Sequence, residues 1–231
     1  MFLSYVERNK KLMTWDSLYR TNQQVWGDKP SELATFACNY LQGIKPPSKA
    51  IDILDLGCGY GRDAMYLARN IKCQVFGIDD SSEAIEMAQK SLADDLKLCV
   101  KFQCGDFRQM NNGKFDIVFT SNVYHLLKSD DRNAFRNTID KNVKPGGMLF
   151  FSTLSLSDPE HFGKGKRIEN EDNSFEDKVF IHFCTREEME RDFSFLTIKE
   201  LFEYEFYESR SNGEIHHHIL WMFMGVKRQD L

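Results

Sequence analysis

The sequence has no C-x-x-C pair, no apolar run long enough to cross a bilayer, no surplus of positive charge, and no repeat or Gly/Ser-rich linker. Each absence removes a class of protein. The six cysteines (Cys38, Cys58, Cys73, Cys99, Cys104 and Cys184) stand apart, so neither a zinc ribbon nor a disulfide framework is expected. They read as free thiols in a reducing compartment. The longest clearly apolar run, residues 219–226, falls far short of the roughly 20 residues a membrane helix needs. Charge enters the opening MFLSYVERNKK too early for a secretory signal, so a cytoplasmic location with no membrane partner is expected. Lys and Arg number 30 against 35 Asp and Glu, a net charge of −5, which argues against a broad phosphate-binding face and a nucleic-acid partner.

What is present is an ordinary globular composition, 42% hydrophobic, over a length that suits one domain. Nineteen Phe residues imply a large apolar pocket or a well-filled core, the core for most of them. The chain divides into a helical amino-terminal cap (1–45), a central core (51–153) and a final part (154–231). In the cap, Trp15, Leu18 and Tyr19 share a helical face, and a helix carrying Leu33, Phe36, Ala37, Tyr40 and Leu41 starts after Pro30-Ser31. The run GIKPPSK breaks it.

The core alternates. Strands are expected at 51–56, 74–78, 98–103, 115–120 and 148–153. Helices are expected from about Arg62, after Ser81 or Ser82, and from near Ser129, the last with Ala134, Phe135, Thr138, Ile139 and Val143 inward. The Lys144-Pro145-Gly146-Gly147 run reads as a turn ahead of the fifth strand. Strands alternating with helices imply crossover units and an α/β, doubly wound, mostly parallel sheet. The alternation of residues 198–207, the turn-forming Ser211-Asn212-Gly213 and the extended 215–226 read as a closing antiparallel hairpin. Between them, residues 158–177 look like a long polar surface insertion, the kind of loop that often serves as a lid.

The strongest chemical signal is I-L-D-L-G-C-G-Y-G, residues 53–61, between the first strand and the first core helix. Gly57, Gly59 and Gly61 let the backbone turn sharply and approach a ligand, and the helix behind them aims its N–H groups into the same crevice. The spacing is G-x-G-x-G, unlike the G-x-G-x-x-G of dinucleotide enzymes. Asp55, two residues ahead of the loop, would repel a diphosphate and attract a cation. Asp79, followed by Asp80, ends the second strand where an acid accepts hydrogen bonds from ribose hydroxyls. Gly105-Asp106-Phe107 follows the third strand, with Asp106 placed for an adenine amino group and Phe107 for its ring. Ser121-Asn122 ends the fourth, and Val123-Tyr124-His125 follows.

These residues, in this order over about 51–153, resemble the class I S-adenosylmethionine-dependent methyltransferases. The resemblance implies a seven-stranded sheet of order 3-2-1-4-5-7-6 with an added antiparallel strand. It implies S-adenosylmethionine as cofactor and S-adenosylhomocysteine as product. Asp55, Gly57, Cys58, Gly59 and Gly61 would hold the methionine end, Asp79 the ribose, and Asp106 with Phe107 the adenine, with Asp80 and Asn122 as further cofactor-binding residues. The segment W-D-x-L-Y…V-W-G-D-K-P-S (15–31) is similar to the opening of small-molecule members of tellurite and thiopurine type, which makes Trp26 a candidate for closing the site or for packing the first helices on the sheet.

Methyl transfer is an in-line displacement at an activated carbon, so alignment and exclusion of water dominate. A base is needed only for a protonated nucleophile. Tyr124 and His125 are the catalytic candidates, with packing beneath the substrate as the alternative role for His125. His161 and His182 are expected to be solvated loop residues. Glu187, Glu188 and Glu190 are expected on the solvated side of a short helix after Thr185. His216-His217-His218 is expected on an edge-strand surface, and no metal site is expected. The absence of N-P-P-Y and of a Pro-Cys nucleophile points to a small-molecule acceptor. A protein or RNA methyltransferase and a non-catalytic cofactor-binding module are the alternatives, a nicotinamide oxidoreductase is disfavoured by the glycine spacing, and the expected assembly is a monomer or homodimer.

Overall fold

A computed structural model describes residues 14–21, 27–44, 49–110, 113–209 and 215–229. Trp26, the Ser211-Asn212-Gly213 turn and most of the GIKPPSK break lie outside them.

β1 (Ile51–Leu56), β2 (Cys73–Asp79), β3 (Val100–Cys104), β4 (Phe115–Ser121), β5 (Val143–Leu154), β9 (Leu196–Ser209) and β10 (Ile215–Lys227) form one sheet of order β3-β2-β1-β4-β5-β10-β9. β1 to β5 pair in parallel, while β10 runs antiparallel to both β5 and β9. This is the seven-stranded, mostly parallel fold with an antiparallel hairpin that the sequence implies.

Both faces of the sheet are covered, which explains the near-continuous apolar runs of its central strands. Side chains alternate between the faces with the period of two that a strand imposes. Ile53, Ile117, Phe119 and Phe150 pack with Leu33, Ala37, Cys38 and Leu41 of α2 (Glu32–Gly43) and Ala64 and Leu67 of α3 (Arg62–Asn70). Leu54, Val118, Phe151 and Phe223 pack on the other face with Phe135 and Ile139 of α5 (Ser129–Asn142) and Met189 of α6 (Arg186–Asp192). α4 (Ser82–Ser91) is capped by Ser81, whose hydroxyl accepts from the Ala84 N–H and donates to Asp16 of α1 (Trp15–Thr21) at 2.6 Å. Ser31 caps α2 in the same way.

Two features differ from the sequence reading. Lys144-Pro145-Gly146-Gly147 does not precede β5. It lies within the strand, where the ladder jumps from Phe115↔Val143 to Ile117↔Met148. Gly147 is required there because a Cβ would lie 2.8 Å from the Asp116 carbonyl oxygen. Residues 158–177 are not a simple surface loop. They contribute β6 (Lys166–Arg167) and β7 (Ser174–Glu176) to a second, antiparallel sheet completed by β8 (Phe180–His182). This sheet is tied to the main one by a bridge from Ser155 to Cys184. Among the described residues no helix is long and apolar enough to cross a membrane.

Candidate cofactor and acceptor site

The loop after β1 turns with φ values of 78°, 53° and 77° at Gly57, Gly59 and Gly61, a region that penalises any residue with a Cβ. Space adds a second constraint. A Cβ on Gly57 would lie 2.3 Å from Val123 and one on Gly61 would lie 2.4 Å from the Phe102 ring. The loop is held down by its own amides: the Gly57 and Cys58 N–H groups donate to the Ile78 carbonyl, at 2.8 and 3.0 Å. The Gly59 N–H donates to Asp79 Oδ2 at 2.8 Å, and the Ser81 N–H to Asp79 Oδ1 at 3.0 Å. The acid at the end of β2 therefore organises the glycine loop while keeping lone pairs for a ligand.

A cleft opens at this edge of the sheet. Its walls include Trp15, Tyr19, Asp55, the glycine loop, Arg62, Asp63, Asp79, Asp80, Phe107, Asn122, Val123, Leu126 and Phe135. Four carboxylates (Asp55, Asp63, Asp79 and Asp80) face one guanidinium, Arg62, so the cleft suits a cation and rejects a diphosphate. Asp55 is 2% exposed, and burial pushes its carboxyl well above the usual range, reinforced by the charges of Asp63 and Asp79. Asp55 Oδ2 and Asn122 Oδ1 are buried and accept no hydrogen bond among the described residues. Two orphaned acceptors at one cleft call for a ligand that brings donors. Burial raises Asp79 to about 6 against its two backbone donors.

Other expected residues sit as follows. Phe107 lines the cleft and meets Phe135 edge-on, with centroids 5.2 Å apart. Cys58 contributes backbone, and burial pushes its thiol well up, so it stays protonated. Asp106 is turned to Arg108, taking its N–H and Nε at 2.9 Å, so its carboxylate is engaged in closing a local turn rather than offered to an adenine. Gly105, next to it, lines the cleft instead.

Tyr124 is a correction. Its ring is fully buried against Phe135, Phe151 and Phe193, and its hydroxyl donates to Asp192 Oδ2 at 2.8 Å beside Arg136. Burial raises the phenol, so it stays protonated, and its role is packing. His125 is 5% exposed, lies outside the cleft wall, and has no partner at Nδ1 among the described residues. Burial lowers it to about 3, with His161 adding to the effect, so it is a neutral imidazole at working pH.

The remaining histidines overturn three expectations. β10 lies between β5 and β9, so His216-His217-His218 is not on an edge. His218 is buried, 3.3 Å from Asp158, which also accepts from the Ile219 N–H at 3.0 Å and the His161 N–H at 2.8 Å. His161 is stacked on His218 rather than solvated. His182 is 3% exposed and holds Glu188 at 2.9 Å, so that acid faces inward while Glu187 and Glu190 stay outside. Sequence reasoning also missed Trp15, Tyr19, Arg62 and Asp63 as cleft residues, although Trp15 and Tyr19 both lie in the opening segment it singled out.

Comparison with known proteins agrees with this geometry. Residues 53–147 match the methyltransferase domain family. Cyclopropane-fatty-acyl-phospholipid synthase of Escherichia coli is 30% identical over 117 residues, 51% of this chain and 28% of that enzyme. Phosphoethanolamine N-methyltransferase 3 of Arabidopsis thaliana is 32% identical over 49% of this chain and 22% of its own length. The chain thus spans under a third of either relative. Among solved structures, a protein studied for conversion of a disulfide bond into a thioacetal group in echinomycin biosynthesis has a TM-score of 0.68 at 19% identity, covering 94% of this chain and 91% of its own. TehB from Haemophilus influenzae has a TM-score of 0.63 at 14% identity, covering 92% of this chain and 66% of its own. Residues 53–147 thus carry the match to the methyltransferase domain family, within a chain whose fold is that of the solved S-adenosylmethionine-dependent methyltransferases.

Proposed function

We propose that the protein transfers a methyl group from S-adenosylmethionine to a small-molecule acceptor. The carrying observation is the acidic cleft with its orphaned Asp55 and Asn122 oxygens. An amino-acid ligand bearing an ammonium and a sulfonium supplies both the charge and the donors those atoms lack, whereas a nicotinamide dinucleotide brings a diphosphate that the acids of the cleft repel.

When bound, the cofactor supplies a methyl carbon activated by positive sulfur. The chain's own part is placement. The glycine loop and Asp55 receive the methionine end, Asp79 receives the ribose, and Phe107 lies against the adenine. Leu126, Leu127 and Val123 form an apolar wall toward the acceptor side and exclude water from the line of displacement. Tyr124 takes no part. His125, neutral and buried two residues after the cleft residue Val123, is the remaining candidate to accept a hydrogen bond from the acceptor.

The acidic balance of the chain and the small-molecule substrate named for the Arabidopsis relative support a small acceptor. The segment at 15–31 supports the tellurite- and thiopurine-type branch, with Trp15 and Tyr19 already on the cleft wall. Calorimetric titration with S-adenosylmethionine, S-adenosylhomocysteine and NADH tests the reading. Binding of the two sulfur ligands alone is expected, followed by transfer of labelled methyl to small thiols, amines or oxyanions. Binding of NADH alone, or of none of the three by a folded protein, overturns it.

A further inference from the structure

We propose that His182, Cys184 and Glu188 form a site for a transition-metal dication of the zinc or cobalt kind, separate from the cofactor cleft. It does not depend on the methyl-transfer reading.

The chain converges here by construction. β8 delivers His182, and Cys184 follows at the bridge to Ser155. Thr185 then caps α6, and the first turn of that helix brings Glu188 back. One ligating atom from each residue lies within 4.8 Å of the other two. Tetrahedral coordination with Zn–N, Zn–O and Zn–S bonds of about 2.0–2.3 Å needs separations of roughly 3.3–3.6 Å, a small adjustment of side chains. His182 and Cys184 are 3% and 0% exposed, so water does not compete for them.

The hydrogen-bond chain gives the second reason. Ser174 Oγ lies 3.1 Å from the Asp172 carbonyl oxygen, which only accepts, so the single hydroxyl proton of Ser174 is used there. Ser174 Oγ also lies 2.9 Å from His182 Nδ1, which must then carry the proton of that bond. A neutral His182 in this tautomer turns the bare lone pair of Nε2 toward a carboxylate oxygen of Glu188, 2.9 Å away. Two electron-rich atoms at that distance need an electrophile between them, and only a second proton or a metal ion can serve. The Cys184 sulfur beside them completes a donor set that a metal ion uses and a proton does not. Nitrogen, sulfur and oxygen together suit a borderline dication. On binding, the thiol loses its proton to solvent, and thiolate plus carboxylate then balance the two positive charges. Ser174 is the outer partner that fixes the ring of a ligating histidine. Three protein ligands leave the fourth position to water or an outside ligand.

The test uses tag-free full-length protein, purified without chelator, and cobalt(II) as the probe. About one equivalent of bound metal per chain is expected on elemental analysis. After removal of that metal, cobalt(II) should restore saturable thiolate-to-cobalt charge-transfer absorption at one equivalent. Cys184→Ser, with the fold checked by circular dichroism, should lose that absorption, and Glu188→Gln should weaken cobalt binding at least tenfold. Asp79→Ala should keep the absorption while weakening cofactor binding, which separates this site from the cleft. No metal and no charge-transfer band in folded wild-type protein, or a band unchanged in Cys184→Ser, overturns the proposal and leaves a proton as the occupant.

Discussion

Asp79 carries two duties, and they predict two observable effects. It accepts from the Gly59 and Ser81 amides, and its remaining lone pairs face the cleft. Asp79→Ala should weaken S-adenosylmethionine binding by about 10- to 100-fold, the worth of hydrogen bonds to a charged group, as read by calorimetry. Because burial sets its carboxyl at about 6, protonation replaces an acceptor with a donor as pH falls through that value. Affinity should be full at neutral pH and decline below about 6. Asp55 predicts the complementary effect. Its carboxyl is held well above the ordinary range by burial, so a bound cation favours its ionised form and drives a proton off. Calorimetry in buffers of different ionisation enthalpy should register that release, and buffer-independent heats would remove the Asp55 assignment. Tyr124→Phe removes one hydroxyl from the contact with Arg136 and Asp192. It should lower stability by about 1 kcal/mol and leave methyl transfer within about twofold of wild type. A large fall in turnover at unchanged cofactor affinity would restore Tyr124 to the reaction.

At the scale of elements, the second sheet is fastened to the first by a few buried polar groups. Asp158 joins the start of the insertion to β10 through His218 and the Ile219 amide, and these bonds outweigh its desolvation to keep its carboxyl below the ordinary value. Asp158→Ala removes the acceptor of the Ile219 and His161 amides and the contact with His218. It should cost about 3 kcal/mol, seen as a lower Tm, with protease sensitivity appearing first within 158–182. The glycine loop is the opposite case, where geometry alone constrains the sequence. Gly57→Ala places a methyl against Val123 in a left-handed backbone. It should displace the acceptor loop and lower turnover more than stability, measured by comparing kcat with Tm.

At the scale of the whole molecule, a ligand that binds only the folded chain must stabilise it. At a concentration 100 times its Kd, S-adenosylhomocysteine should add about 2.7 kcal/mol. For a chain of this length that raises Tm by roughly 5–10 °C, and NADH should leave Tm unchanged. The architecture behind that cleft was legible in the sequence because strand periodicity, helix caps and glycine spacing are local signals. β1, α3, β4, α5 and the closing hairpin all fall within two residues of their expected bounds. The motif order added the family, and the family added the strand order that periodicity lacks. The tertiary structure alone decided the environment of individual polar side chains. Nothing local distinguishes His182 or His218 from a solvated histidine, because Ser174 meets His182 only across the β7–β8 ladder, Glu188 only through the turn into α6, and Asp158 meets His218 only once the insertion lies on β10. Tyr124 followed the right strand, yet its ring turned into the core because an apolar face among Phe135, Phe151 and Phe193 was the larger driving force. Backbone pattern is written along the chain, whereas burial, charge pairing and pKa belong to neighbours that sequence distance does not reveal.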